Sequence, residues 1–186
     1  MLAFPLTTER FEVSPLAPAD AARFTEYRPD PGTARFQSWT PAWSQADTAT
    51  LIGAQPRGLR SQSGAWLQIA VRDRTSGALV GDVAVHALID QPHTYELGVT
   101  IAPAHRGTGA STEALEALID ALFHRQHSHR LLAFTDTRNK PARRLFRRLG
   151  FRHEGCAVQA DWFKGEWSSL DSWALLRSEH RPYVLR

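Results

Sequence analysis

The sequence predicts a mixed α/β sheet, with elements in the order β-α-α-β-β-β-α-β-α-β-β. Three observations predict it. Residues 66–101 hold three successive stretches with period-2 alternation, a three-strand meander. The period then turns helical over residues 109–125, where Leu115, Leu118, Ile119 and Leu122 fall at i, i+3, i+4 and i+7. After that helix comes the unbroken apolar run Leu131-Leu132-Ala133-Phe134, as expected of a strand buried on both faces. Strand, helix and buried strand imply a parallel pair joined by a right-handed crossover.

The elements follow in chain order. Residues 10–16 alternate around Phe11 and Val13 until Pro15 and Pro18 interrupt them, and residues 20–27 read as a short helix. Pro29, Asp30, Pro31 and Gly32 form a turn region, and Ser44 caps a helix over 45–55 that Pro56 and Gly58 stop. The meander strands are 66–71, 79–89 and 95–101. In the last, Tyr95, Leu97, Val99 and Ile101 share one face, and Glu96, Gly98 and Thr100 share the other. A strand at 130–135 precedes a helix that Asn139 caps, with Pro141 in its first turn and Gly150 at its C-terminal end. Ala142, Leu145, Phe146 and Leu149 form the apolar stripe of that helix. Residues 151–160 and 167–176 close the chain as a hairpin turning near Lys164-Gly165.

With 186 residues, 42% hydrophobic and 22% charged, the chain has the size and balance of one globular domain, 1–186. Its net charge of +3 is too small to argue for a nucleic-acid partner. No apolar run approaches the ~20 residues that span a bilayer. Cys156 is the single cysteine, which excludes a disulfide framework and a thiolate metal cluster. With no signal-peptide pattern at the N-terminus, a cytoplasmic location is expected. His124, His127 and His129 cluster near a helix end without a matching carboxylate or cysteine set, so no metal is expected. The sequence leaves monomer and homodimer open.

The most informative stretch is His105-Arg-Gly-Thr-Gly-Ala-Ser-Thr-Glu113, which joins a strand to a helix N-terminus. Amides at such a terminus lack intrahelical partners, the helix dipole favours negative charge, and Gly107 and Gly109 admit close approach. Arg106, Gly107, Thr108, Gly109, Ala110 and Ser111 therefore form a candidate anion cradle. A Walker-type loop is excluded because no lysine follows the second glycine. A dinucleotide fingerprint fails too: Thr112 stands where the third glycine belongs, and the chain holds one parallel crossover rather than several.

The run Ala102-Pro-Ala-His-Arg-Gly-Thr-Gly-Ala-Ser-Thr-Glu-Ala114 resembles the coenzyme A loop of the GNAT superfamily, Gln/Arg-x-x-Gly-x-Gly/Ala. Arg106 and Gly109 match it, and Ser111 departs at its last position. Thr8-Glu-Arg-Phe11, Asp20, Arg35-Phe-Gln-Ser-Trp39, Gly81-Asp82, Glu96-Leu-Gly98 and the stretch from Asn139 to Phe151 resemble the branch that holds the bacterial ribosomal-protein N-terminal acetyltransferases. The resemblance implies acetyl-CoA as co-substrate and a central parallel pair splayed apart to admit the pantetheine. It also implies backbone contacts at Val99, Thr100 and Ile101, and further coenzyme contacts at Asn139 and Phe146. Asn139 is equally well explained as a helix cap.

Acetyl transfer requires a neutral amine. A lysine side chain, pKa ~10.4, is mostly protonated at neutral pH, whereas an α-amino group at ~7.7–8.0 is substantially free; the gap corresponds to roughly 3.4 kcal/mol. A peptide or protein N-terminal amine is therefore the expected acceptor. A small amine (antibiotic or polyamine) and a non-catalytic coenzyme-binding module are the alternatives. Glu96, on the polar face of its strand, is the candidate general base. Relatives carry a tyrosine or serine general acid where this chain has Phe146 and Ala142, which cannot donate. Trp39 and Trp43 are candidates to line the acceptor pocket, and Arg143, Arg144, Arg147 and Arg148 read as a solvated helix face.

Overall fold

Antiparallel pairing carries the sheet strand by strand from one edge to a single parallel junction, and the fold is organised around that junction. A computed structural model describes residues 2–181. Its strands are β1 (Leu6–Thr7), β2 (Phe11–Pro15), β3 (Trp66–Asp73), β4 (Leu79–Ala87), β5 (Thr94–Ile101), β6 (Arg130–Asp136), β7 (Arg152–Phe163) and β8 (Glu166–Leu176). The helices are α1 (Ala21–Tyr27), α2 (Pro31–Ala34), α3 (Gln45–Gly53), α4 (Ala110–His124) and α5 (Lys140–Arg148). The strands form one sheet in the order β1-β2-β3-β4-β5-β6-β8-β7, with β5 and β6 parallel.

The meander, the crossover helix and the closing hairpin lie where the sequence places them. Two elements are additional. Residues 31–34, read as part of a turn, form α2, because Asp30 caps it by accepting from the Thr33 amide at 2.7 Å and Pro31 supplies its first turn. A two-residue strand, β1, also pairs with β2; no alternation can announce so short a strand.

Helix α4 shows why the 3.6-residue period is predictive. Ala114, Leu115, Leu118, Ile119 and Leu122 are all buried, packing on Ile69, Val83, Val85, Tyr95 and Leu97 of the sheet. Alternation sends the other residues of the same strands to the opposite face. There Ala70, beside Leu16 and Leu79, packs with Phe24 and Tyr27 of α1. Helices thus cover both faces of the sheet, α4 and α5 on one side and α1 to α3 on the other.

Candidate active site

β5 is zipped to β4 from Tyr95↔Ala87 through Ile101↔Gly81, yet it pairs with β6 only at Thr94↔Arg130, Tyr95↔Leu131 and Glu96↔Leu132. Beyond Glu96 the two strands part. β6 continues to Asp136 on β8 alone, and β5 runs on into the loop before α4. The splay expected from the family resemblance is present, and Glu96 stands at its vertex.

Main-chain groups face the gap. The Val99 carbonyl accepts from Gln37 Nε2 at 3.3 Å and the Ile101 carbonyl from Arg106 Nε at 3.3 Å. In an antiparallel pair a residue turns its N–H and C=O to the same side, so the Val99 and Ile101 amides face away from β4 as well. Thr100 alternates. Its main-chain groups belong to the β4 ladder, opposite Asp82, and its side chain is buried. Of the three residues expected to contact the coenzyme through the backbone, Val99 and Ile101 turn their main-chain groups to the gap and Thr100 turns its own to β4.

The loop expected to cradle an anion leads into an uncapped helix start. Gly109 caps α4 in the left-handed region, φ +85°, and no side chain caps the helix. The Glu113 amide bonds the Gly109 carbonyl at 3.1 Å, so the amides of Ala110, Ser111 and Thr112 precede the first helical bond. In the same turn Thr112 has a buried hydroxyl oxygen with no partner among the described residues. Gly107, φ +76°, bends the loop, and Thr108 Oγ1 ties it back to the His105 carbonyl at 2.8 Å. Unpaired donors at a dipole's positive end fit a diphosphate.

Two arginines brace this loop. Arg10 pairs with Glu113 at 2.7 Å and donates to the Thr108 carbonyl at 3.0 Å, cancelling a carboxylate that would otherwise repel an anion. Burial pushes Glu113 up, but bonds from Thr8 and Arg10 outweigh it and hold the carboxyl below its usual range. Arg106, the match to the family motif, turns its guanidinium to Asp30 at 3.2 Å and to the Thr33 hydroxyl. Its charge fastens α2 to the end of β5.

Glu96 has company that the sequence did not announce. His86 lies opposite it on β4, Nδ1 to Oε2 at 3.3 Å, and Trp66 of β3 stacks on the imidazole at 4.7 Å, nearly parallel. All three are accessible: Glu96 and His86 in part, Trp66 at 45%. The strand register could have revealed His86, since pairing β4 with β5 through a short turn sets the two residues face to face. Farther along the same face Asp82 is fully buried, taking bonds from Tyr27 and Gln68 and facing Arg28 at 3.6 Å. Arg28 is enclosed by the rings of Trp39 at 3.7 Å, Phe24 at 4.0 Å and Trp43 at 4.8 Å. Burial raises Asp82 and lowers Arg28, so in this pair desolvation outweighs the mutual attraction. Trp39 and Trp43, expected to line an acceptor pocket, form the walls around this cation.

Asn139 caps α5, its Oδ1 accepting from the Ala142 amide at 3.2 Å. Phe146 is 2% exposed and edge-on to Phe151 at 5.3 Å, which is the packing role its place on the apolar stripe predicts. Arg143 is not simply solvated: its Nε stands 2.6 Å from the buried Asp171, which His153 also meets at 2.9 Å.

Residues 10–152 match the family model described as the acetyltransferase (GNAT) domain. The chain belongs to the GNAT acetyltransferase family. Among curated relatives of this family member, the uncharacterized N-acetyltransferase YnaD of Bacillus subtilis strain 168 is 27% identical over 106 residues, 57% of this chain and 62% of the relative. The [ribosomal protein uS5]-alanine N-acetyltransferase of Escherichia coli strain K12 is 37% identical over 90 residues, 48% of this chain and 46% of the relative. The alignments thus span about half to three-fifths of these two proteins. Among solved structures, a GNAT-family acetyltransferase from Bacillus anthracis superposes with a TM-score of 0.83 at 22% identity, covering 95% of this chain and all of that one. A spermidine N-acetyltransferase from Vibrio cholerae, in complex with CoA and spermine, gives 0.79 at 18% identity, covering 92% and 98%. At these identities the structures bear on the fold. No helix among the described residues is long and apolar enough to cross a membrane.

Proposed function

We propose that this acetyltransferase moves an acetyl group from acetyl-CoA to a peptide or protein N-terminal amine. The observation that carries the transfer reading is the adjacency of uncapped amides at Ala110–Thr112 to gap-facing main chain at Val99 and Ile101. The pyrophosphate then rests on the loop 106–111, and the pantetheine pairs with β5 as a substitute for the departed β6. The acyl group reaches the vertex of the splay beside Glu96. There Glu96, directly or through one water, takes a proton from the attacking amine, and a gap-side amide stabilises charge on the thioester oxygen. A thiolate of pKa near 8.5 leaves without a protein acid and takes its proton from water, so Phe146 and Ala142 are no obstacle.

The acceptor assignment rests on how the nearby carboxylates are employed. Asp30 pairs with Arg106, Asp82 with Arg28, Asp136 with Arg138, and Asp171 with Arg143 and His153. Glu96 meets only the His86 imidazole among the described residues. One carboxylate without an arginine partner suits a singly charged amine better than a polyamine. The partial likeness to a ribosomal-protein alanine acetyltransferase supports the same choice.

The test is thiol release from acetyl-CoA with peptides that begin with alanine or serine, their N-acetylated counterparts, free lysine and spermidine. Release with the free-N-terminus peptides and silence with the blocked ones is expected. Faster turnover of spermidine would replace the acceptor assignment, and no release from any amine would overturn the catalytic reading.

A further inference from the structure

The far end of α4 carries a second cluster of chemistry-bearing side chains, remote in sequence from the loop at its start. Asp120 and His124 stand four residues apart on this 15-residue helix, so both project from one face. His180, 60 residues beyond Asp120, arrives there from the turn after β8. Asp120, His124 and His180 each offer one ligand atom, all within 4.8 Å of one another.

The third ligand is held in place before any ion arrives. The His180 amide bonds the Leu176 carbonyl at 3.1 Å, and Glu179 accepts from the Leu176 amide at 3.0 Å while pairing with Arg152. The His180 ring lies 5.0 Å from Phe123, and its Nε2 contacts the Asp120 carboxylate. His124 is exposed, and no hydrogen bond engages its ring among the described residues. With Asp120 it lines a groove of about 940 Å³ along α4.

The electrostatics favour a cation. Glu116, one turn before Asp120, lines the same groove, and burial followed by the Asp120 and Glu113 carboxylates pushes it above its usual range. Arg125 and Arg148 also line the groove, but neither forms an ion pair with Asp120 or Glu116 among the described residues. Zinc bonds of about 2.0–2.2 Å place tetrahedral ligand atoms about 3.4 Å apart, so the cluster closes on an ion with roughly an ångström of side-chain adjustment.

We propose that Asp120, His124 and His180 form a divalent-metal site of zinc type, with a water in the fourth position, that locks the segment after β8 onto α4. Two imidazoles and one carboxylate are the donors that borderline first-row ions prefer over calcium or magnesium. The ion inserts between the Asp120 carboxylate and His180 Nε2. Any proton on that nitrogen is released to solvent. The role is structural: the site fastens the chain's last described turn to the helix that presents the phosphate loop. It is independent of the catalytic proposal.

The experiment uses tag-free, chelator-treated full-length protein titrated with Co²⁺, followed by visible absorption, and with Zn²⁺ by calorimetry. One equivalent should bind at micromolar Kd or tighter, with a tetrahedral Co²⁺ spectrum, and Zn²⁺ at 100-fold excess over Kd should raise Tm by about 5–10 °C. His124→Ala, which removes an exposed and unbonded side chain, should weaken binding at least tenfold, as should Asp120→Asn. The double substitution His127→Ala, His129→Ala should leave it unchanged. Absence of binding at 100 µM metal, or binding that survives His124→Ala and is lost with the 127/129 pair, would overturn the site.

Discussion

The two faces of the sheet are built on different physics. Beneath α4 and α5 the contacts are hydrocarbon: Leu115, Leu118, Ile119 and Leu122 against Val83, Val85, Leu97 and Leu131, all buried. Beneath α1 to α3 the same strands present Gln68, Asp82, His86 and Glu96, and Arg28 is sealed under Phe24, Trp39 and Trp43. Hydrocarbon packing is non-directional and supplies stability, whereas buried charges and hydrogen bonds are costly unless their geometry is met. The face that carries α4 and α5 uses the first. The face on which His86 and Glu96 stand uses the second.

Substitutions on the two faces should therefore separate activity from stability. The largest effect falls on turnover. Glu96→Gln should lower kcat about 10²–10⁴-fold, the usual contribution of a general base, and leave Tm unchanged because Glu96 is partly exposed on the polar face. Steady-state kinetics beside thermal melting check this, and a falling Tm with intact kcat would reverse the assignment of that face. Next comes Arg28→Ala, which leaves Asp82 charged and unpaired in the interior and should cost about 3–5 kcal/mol in urea unfolding. Pairing Arg28→Met with Asp82→Leu should recover much of it; if the double variant is no better than the single, the charges are more than a geometric constraint.

On the apolar face Leu118→Ala should cost about 2–5 kcal/mol, depending on how far the site collapses, with kcat per folded molecule unchanged. A selective loss of kcat there would break the division of labour. The smallest effect lies at the rim, where Arg138 bonds hold the Asp136 carboxyl below its usual range against the opposing pull of burial. A depressed folded pKa means stability that is present above the ordinary carboxylate value of about 3.9 and is lost as pH falls through the folded one. Asp136→Asn should therefore flatten the decline of unfolding free energy between pH 5 and pH 2. Parallel profiles for the variant and the parent would remove Asp136 from the account.

Much of the fold was legible because alternation and helical periodicity are local. The residues that bury Tyr95, Leu97 and α4's stripe could be assigned before any contact was known. The glycine loop before α4 was legible for the same reason, since a glycine loop that opens a helix is a contiguous feature. His86 was missed because its meeting with Glu96 depends on the β4–β5 register, and α2 was missed because Pro31-Gly32 reads as a turn until Asp30 is seen capping it. Arg106 was matched by motif, but the tertiary fold turns its guanidinium to Asp30.

By itself the sequence determined which residues face inward on each element, where the single parallel crossover lies and which loop bares its amides, because each is written within one turn or one strand. Only the tertiary structure decided that β5 and β6 part after Glu96, that Val99 and Ile101 rather than Thr100 face the gap, and that Arg28 is buried against Asp82. Those outcomes depend on register and on partners distant in the chain, which are fixed when whole layers pack and leave no trace in local periodicity.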